Sequence, residues 1–106
     1  MTVVSVLRLP VRPGAVEELA RAFDELDVFG QSERSGGFLG GRFLRPLAEG
    51  APVVVIAEWE TPGSYQGWLD NPVRKELSER LAPLLAGEVV AGELYEEVSM
   101  RVQEYP

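Results

Sequence analysis

The chain has 106 residues, 45% of them hydrophobic, which fits one small globular unit and excludes a disordered tract or a multidomain protein. Its formal net charge is −7, and its ten Lys and Arg are spread along the chain, the wrong electrostatic footprint for DNA or RNA. Cysteine and histidine are both absent, which removes disulfides, thiol nucleophiles, Ser-His and Cys-His pairs, and the usual zinc and haem ligands.

Thr2 to Leu9 is rich in β-branched residues and stops at Pro10 and Pro13-Gly14, so it reads as the first strand. From Val16 the apolar positions Val16, Leu19, Ala20, Phe23 and Leu26 recur at helical spacing, with Glu17-Glu18 well placed near the helix N-terminus; this helix should end near Asp27. Val28 to Ser35 is polar and lacks a period, and reads as a loop. The run Gly36-Gly37-Phe38-Leu39-Gly40-Gly41 continues into Arg42-Phe43-Leu44-Arg45 as a strand. A phosphate cradle needs a strand before its glycines and a helix after, so these glycines signal a bulge or a close backbone approach.

Pro46 to Pro52 connects to a strand over Val53–Glu60, giving an antiparallel hairpin. Thr61-Pro62 and Asn71-Pro72 are two N-cap and first-turn signals ten residues apart, so two helical pieces follow one another. The second carries Val73, Leu77, Leu81 and Leu84 on one face; Pro83 should disturb its last turn and Gly87 end it. Glu88 to Val98 reads as the last strand. Residues 1–98 then form the domain, and 99–106 a polar tail placed to contact a partner subunit.

The order strand, helix, strand, strand, broken helix, strand predicts an α+β fold: a ferredoxin-like βαββαβ sandwich with a four-stranded antiparallel sheet. In the third strand Val53, Val55, Ala57 and Trp59 point one way, and Val54, Ile56, Glu58 and Glu60 the other. Both faces are apolar over its first half. Helices cover one, and a homodimer packed sheet to sheet would cover the other. A partner also suits a chain of this length, which buries only about two-thirds of its unfolded surface alone.

Met1 to Arg8 has no basic segment before its apolar run and no cleavage site after it, and no run is long enough to span a bilayer; the expectation is a soluble, cytoplasmic protein with no membrane partner. Glu17-Glu18 and Glu96-Glu97 lack calcium-loop spacing and read as solvated faces, so no metal is expected.

These residues resemble the antibiotic biosynthesis monooxygenase family, small dimeric α+β barrels that include cofactor-free, quinone-forming oxygenases. The resemblance rests on Gly37-Phe38-Leu39-Gly40 opening the second strand, Val55-Ile56-Ala57-Glu58-Trp59-Glu60 in the third, Tyr65 six residues beyond the tryptophan, and Asn71-Pro72 with Leu77. It implies a phenolic polycyclic substrate held between sheet and helices, deprotonated there, and itself passing an electron to O2, with no metal, flavin or other cofactor. The family's strand-end tryptophan and helix tyrosine match Trp59 and Tyr65. An asparagine four residues before the tryptophan in the quinone-forming members corresponds to Val55, and an arginine of their second helix falls near Ser78, so both polar partners are missing. The haem-degrading branch holds iron with a histidine, which this chain lacks.

The candidate catalytic residues are Trp59, to orient substrate or peroxide, Tyr65, to move a proton, and Arg42, to hold an enolate. Each also has a plainer reading: Trp59 as a ring at the sheet edge, Tyr65 as a packing residue with a wet hydroxyl, Arg42 as a surface cation. Phe38, Phe43, Val55, Trp68 and Leu77 are the candidate substrate-binding residues, Trp68 sharing a helical face with Tyr65. Arg8 is a second cation candidate. Glu58 has the wrong parity to share a pocket with Trp59. The expected function is cofactor-independent oxidation of a polycyclic phenol or anthrone to a quinone; an acid–base polyketide cyclase or isomerase, or a non-catalytic hydrophobic ligand-binding module, are the alternatives.

Overall fold

The computed structural model describes residues 1–89 and 92–103. β1 (Val3–Leu9), β2 (Phe38–Leu44), β3 (Val53–Trp59) and β4 (Glu93–Glu96) form one antiparallel sheet in the order β2-β3-β1-β4. α1 (Val16–Glu25), α2 (Val28–Ser35), α3 (Pro62–Leu69) and α4 (Pro72–Leu81) pack on one face of it, the ferredoxin-like α+β arrangement that the sequence predicts.

Strand alternation decides which face carries the core. Val53, Val55, Ala57 and Trp59 are buried on β3 while the residues between them are half-buried. The register Val3↔Trp59, Ser5↔Ala57, Leu7↔Val55 sets the matching inward positions of β1 beside them. One core cluster joins Trp59, Ala57 and Val3 to Tyr65, Trp68 and Leu77; a second joins Val53, Val55 and Leu9 to Leu19, Phe23 and Leu81. Both caps expected from the sequence are formed. Thr61 accepts a hydrogen bond from the Ser64 N–H and Asn71 from the Val73 N–H, each at 3.0 Å, contacts worth about 1 kcal/mol apiece that fix how α3 and α4 start.

The glycine-rich opening of β2 is a bulge. Phe38 pairs with Trp59, but Gly40, not Leu39, pairs with Glu58. Phe38 and Phe43 are five residues apart and would face opposite ways in a regular strand; the extra residue turns both inward. Gly41, between them, lies directly under the Phe29 ring, where a Cβ would collide.

Two elements differ from the sequence-based expectation. Val28–Ser35 is helix α2 rather than a loop. Its apolar face is short, since Val28, Phe29 and Ser32 are its inward residues and Gly30 and Ser32 hide the period. Asp27 makes the turn from α1 in a left-handed conformation (φ 52°), held by Arg34 at 3.1 Å and folded over Gly30. Ser32 returns its hydroxyl to the Val28 carbonyl at 2.9 Å and so enters the core without an unpaired group. The last strand is also shorter than the expected Glu88–Val98, covering Glu93–Glu96; Val90 and Ala91 of that expectation lie outside the described residues, as does 104–106 of the tail.

Pro83 converts the end of α4 into a 3₁₀ turn over Ala82–Leu84, as expected. That turn is tied to the chain after β1 by the Arg12 N–H to Leu84 O and Ala86 N–H to Pro10 O bonds, 3.0 and 2.9 Å. The outer face of the sheet carries Val4, Val6, Val54 and Ile56, all half-buried, with Arg8 paired to Glu93 at its margin. Among the described residues no helix is long and apolar enough to cross a membrane.

Candidate functional site

Between the inner face of the sheet and the helices lies a cavity of about 690 Å³, a size that suits a small-molecule ligand. Ser5, Leu7, Val55, Ala57 and Trp59 form its floor. Phe23, Phe29 and Ser32 close one side, Tyr65 and Trp68 of α3 another, and Arg74, Leu77, Ser78 and Leu81 line it from α4. Arg12 and the segment Leu85–Val89 stand at the rim.

The walls are aromatic and continuous. Ring centroids run Phe43–Phe23 5.2 Å, Phe23–Phe29 5.1 Å, Phe29–Phe38 5.8 Å, Phe38–Trp59 5.4 Å and Trp59–Tyr65 5.7 Å, mostly edge-on or tilted, the arrangement that ring quadrupoles favour. Each ring packs on the next, with Phe38 and Phe43 behind the rings that line the cavity.

Trp59 is 1% exposed, and its indole N–H donates to the Ser5 hydroxyl at 3.1 Å. The Ser5 hydroxyl in turn donates to the Ala57 carbonyl at 3.5 Å. The indole N–H is thus committed within the sheet, and Trp59 offers the cavity its ring. Tyr65 is also buried, with its hydroxyl donating to the Gly92 carbonyl at 3.4 Å. Gly92 is a close-approach position: a Cβ there would stand 3.0 Å from the Val6 carbonyl oxygen and 3.1 Å from the Tyr65 hydroxyl. Burial raises the Tyr65 pKa above its ordinary value, opposed by the positive charge of Arg74. Tyr65 is a neutral hydroxyl at physiological pH, able to give a proton.

Of the residues singled out in the sequence, Trp59, Tyr65, Val55, Trp68 and Leu77 come together on the cavity surface. Phe38 and Phe43 stand one layer behind, against Trp59 and Phe23. Arg42 is not brought to this site. It pairs across the sheet with Ile56, so it belongs to the outer face, and it is exposed. The bulge sets that parity: in a regular strand Arg42, four residues after inward-facing Phe38, would face inward as well, and the extra residue turns it out. Arg8 is likewise outward, engaged with Glu93.

Sequence reasoning missed Ser5, Phe23, Phe29, Arg12 and Arg74 as lining residues. Two of them left a signal. Ser5 is the one polar residue among the inward positions Val3, Ser5, Leu7 and Leu9, and Arg74 lies three residues before Leu77, on the same helix face. Among the described residues, no three carboxylates converge closely enough to hold a metal ion.

Known proteins share both the sequence and the fold. The chain is 31% identical over 88 residues to heme oxygenase (mycobilin-producing) of Mycobacterium tuberculosis, covering 82% of each protein. Its fold matches that of SnoaB, a cofactor-independent oxygenase from Streptomyces nogalater, with a TM-score of 0.73 at 22% identity, covering 93% of this chain and 95% of that one. It also matches a conserved protein from Methanosarcina mazei Go1, with a TM-score of 0.74 at 18% identity over 92% and 94% of the two chains. The family model for antibiotic biosynthesis monooxygenase matches residues 2–80, three of the four strands and nearly all of α4. The chain therefore belongs to the antibiotic biosynthesis monooxygenase family.

Proposed function

We propose that this protein is a cofactor-independent monooxygenase that oxidises a polycyclic aromatic phenol or anthrone to the quinone. The observation that carries the reading is the cavity of about 690 Å³, walled by Phe23, Phe29, Trp59, Tyr65 and Trp68, in a chain of this family. A flat polycyclic ligand fits such walls. Held there as its anion, it is the reductant: it passes an electron to O2, the resulting radical pair combines at carbon, and the peroxide loses water. An anthrone methylene and O2 thereby give a carbonyl and H2O. Tyr65, kept protonated by burial, would turn from its long 3.4 Å bond to the Gly92 carbonyl and supply the proton that lets the peroxide oxygen leave, and the Trp59 ring would set the plane of the ligand. The protein acts in this reading as a homodimer, joined across the outer face of the sheet and aided by the tail.

A second reading, haem degradation, is favoured by the 31% identity to the mycobacterial heme oxygenase. The chain contains no histidine or cysteine, and the buried Tyr65 hydroxyl is already engaged with Gly92, which makes the cavity a poor iron ligand set.

Incubating the protein with an anthrone and, separately, with haem tests both. Quinone formation with equimolar O2 uptake, lost on Tyr65→Phe, is the expected result. Turnover without O2 would replace the oxygenase with a cyclase or isomerase. A shifted Soret band followed by loss of haem would favour the second reading. Unchanged ligand affinity with no turnover, in wild type and in Trp59→Phe alike, would leave a binding module.

A further inference from the structure

We infer that the cavity is built for an aromatic ligand that carries a carboxylate, and that Arg74 is the residue that binds it. The inference deepens the functional reading above and rests on its ligand cavity, though not on its oxygen chemistry.

Among the charged side chains that line the cavity, Arg12 and Arg74 are cations and Glu88 an anion, so the lining is net positive within a chain whose formal charge is −7. Elsewhere Arg8 pairs with Glu93, Arg34 with Asp27 and Arg45 with Glu17, while Arg21, Arg42, Arg80 and Arg101 are exposed to water. Among the described residues neither cavity arginine has a carboxylate partner, and Glu88, exposed at the rim, pairs with neither. Arg12 is exposed, and its Nε donates to the Leu85 carbonyl at 3.2 Å, which ties it to the rim. Arg74 differs. It is half-buried in the first turn of α4, close enough for its charge to act on the Tyr65 hydroxyl, and among the described residues its guanidinium donates no hydrogen bond.

The remaining polar groups of the lining are already spent on the protein. Ser5 donates to Ala57, Ser32 to Val28, Tyr65 to Gly92, and Ser78 returns its hydroxyl to the Arg74 carbonyl at 2.9 Å. Of the two guanidiniums in the lining, that of Arg74 is the half-buried one, a planar, permanently charged fork among aromatic and aliphatic walls. Partial burial strips water from that fork without giving it a protein partner, and a ligand oxyanion restores the loss through charge-assisted hydrogen bonds. A single guanidinium matches the two oxygens of a planar carboxylate.

Both tryptophans of the chain, Trp59 and Trp68, line the cavity, so quenching of intrinsic fluorescence reports on its occupancy. The probes are anthraquinone-2-carboxylate and its neutral isostere anthraquinone-2-carboxamide. Wild type should bind the carboxylate about tenfold more tightly or better, as charge-assisted pairs do. Arg74→Gln should abolish that preference while leaving carboxamide affinity within about twofold, since only the charged contact is removed. Arg12→Gln should keep the preference. Equal affinity of wild type for the two probes, a preference that survives Arg74→Gln in a folded variant, or one that vanishes with Arg12→Gln would each overturn the assignment. If the carboxamide binds and discrimination is absent, this inference fails while the cavity reading stands; if neither probe quenches, both fail.

Discussion

Trp59 on β3 donates its indole N–H to Ser5 on β1 across 3.1 Å, a diagonal contact one step from the direct pair Ser5↔Ala57. The bond explains how the largest buried ring of the core keeps its polar atom satisfied, and why a serine interrupts an apolar strand. Ser5→Ala leaves a buried N–H without a partner and should cost about 1–3 kcal/mol. In urea the midpoint should fall with an unchanged slope. In a double-mutant cycle, Ser5→Ala should cost far less on a Trp59→Phe background, where no N–H remains to be orphaned.

The bulge in β2 makes a second prediction. Gly41 is crossed by the Phe29 ring, whereas Gly40 has nothing within 4 Å of a built Cβ. Gly41→Ala should therefore displace Phe29, at a cost of about 1–3 kcal/mol for overpacking. Because Phe29 lines the cavity, the same change should weaken binding of the anthraquinone probes. Gly40→Ala, one residue away, should leave both stability and binding near wild type. Equal effects from the two substitutions would show that strand propensity, rather than the ring above Gly41, sets the requirement for glycine.

How far the sequence could be read follows from where its signals were strong. Val53 to Trp59 alternates without interruption, and Thr61-Pro62 and Asn71-Pro72 are capping devices whose chemistry is local, so strand, helix starts and inward face all emerge from residue order. α2 did not, because its eight residues bury only one side and its start depends on Asp27 adopting φ 52°, a choice made by Arg34 and Gly30 through contacts no period encodes. Trp59 and Tyr65 could be named as candidates because ring clustering near the strand end marked a core corner or a pocket wall, and the family resemblance matched a tryptophan and a tyrosine to those positions. Arg42 could not be placed without the register: its neighbour Phe43 faces inward, and strand geometry sends Arg42 the other way. Arg74 is marked in the sequence only by its place three residues before Leu77, and its relation to the cavity exists only once α4 is folded back over Tyr65.

Tyr65 also sets a pH dependence. Burial raises its folded-state pKa above the ordinary 10.0, so below pH 10 folded and unfolded chains both hold the proton. As pH rises past that value the unfolded chain releases its proton first. It then binds fewer protons than the folded chain, and stability falls with pH until the folded-state pKa is passed. Tyr65→Phe should flatten this part of the curve, measured as urea midpoints from pH 9 upward in steps of about half a unit. Tyr95 is raised too, first by its hydrogen bond to Glu93, but it is fully exposed, and Tyr95→Phe should change the slope less. An alkaline slope identical in wild type and Tyr65→Phe would mean that the phenol is not desolvated as its burial indicates.

The outer face carries the prediction for assembly. Val4, Val6, Val54 and Ile56 form an apolar stripe, bounded by Arg8 with Glu93 and by Arg42 and Glu58, and a second copy is the partner expected to cover it. The tail adds an alternating set: Val98, Met100 and Val102 are 90%, 65% and 67% exposed, with polar residues between them, apolar surface that a second copy would cover in the proposed dimer. Size-exclusion chromatography with light scattering should give twice the 11.7 kDa chain mass for wild type. Ile56→Lys puts a charge at the centre of the stripe and should give a monomer, because desolvating an unpaired ammonium outweighs what the remaining contacts supply. Truncation after Glu97 should instead weaken the dimer, so that it dissociates on dilution. Since Ile56 faces away from the cavity, folded Ile56→Lys should still bind the anthraquinone carboxylate. A wild-type monomer at all concentrations would remove the dimer from the functional reading and leave the outer face to another partner.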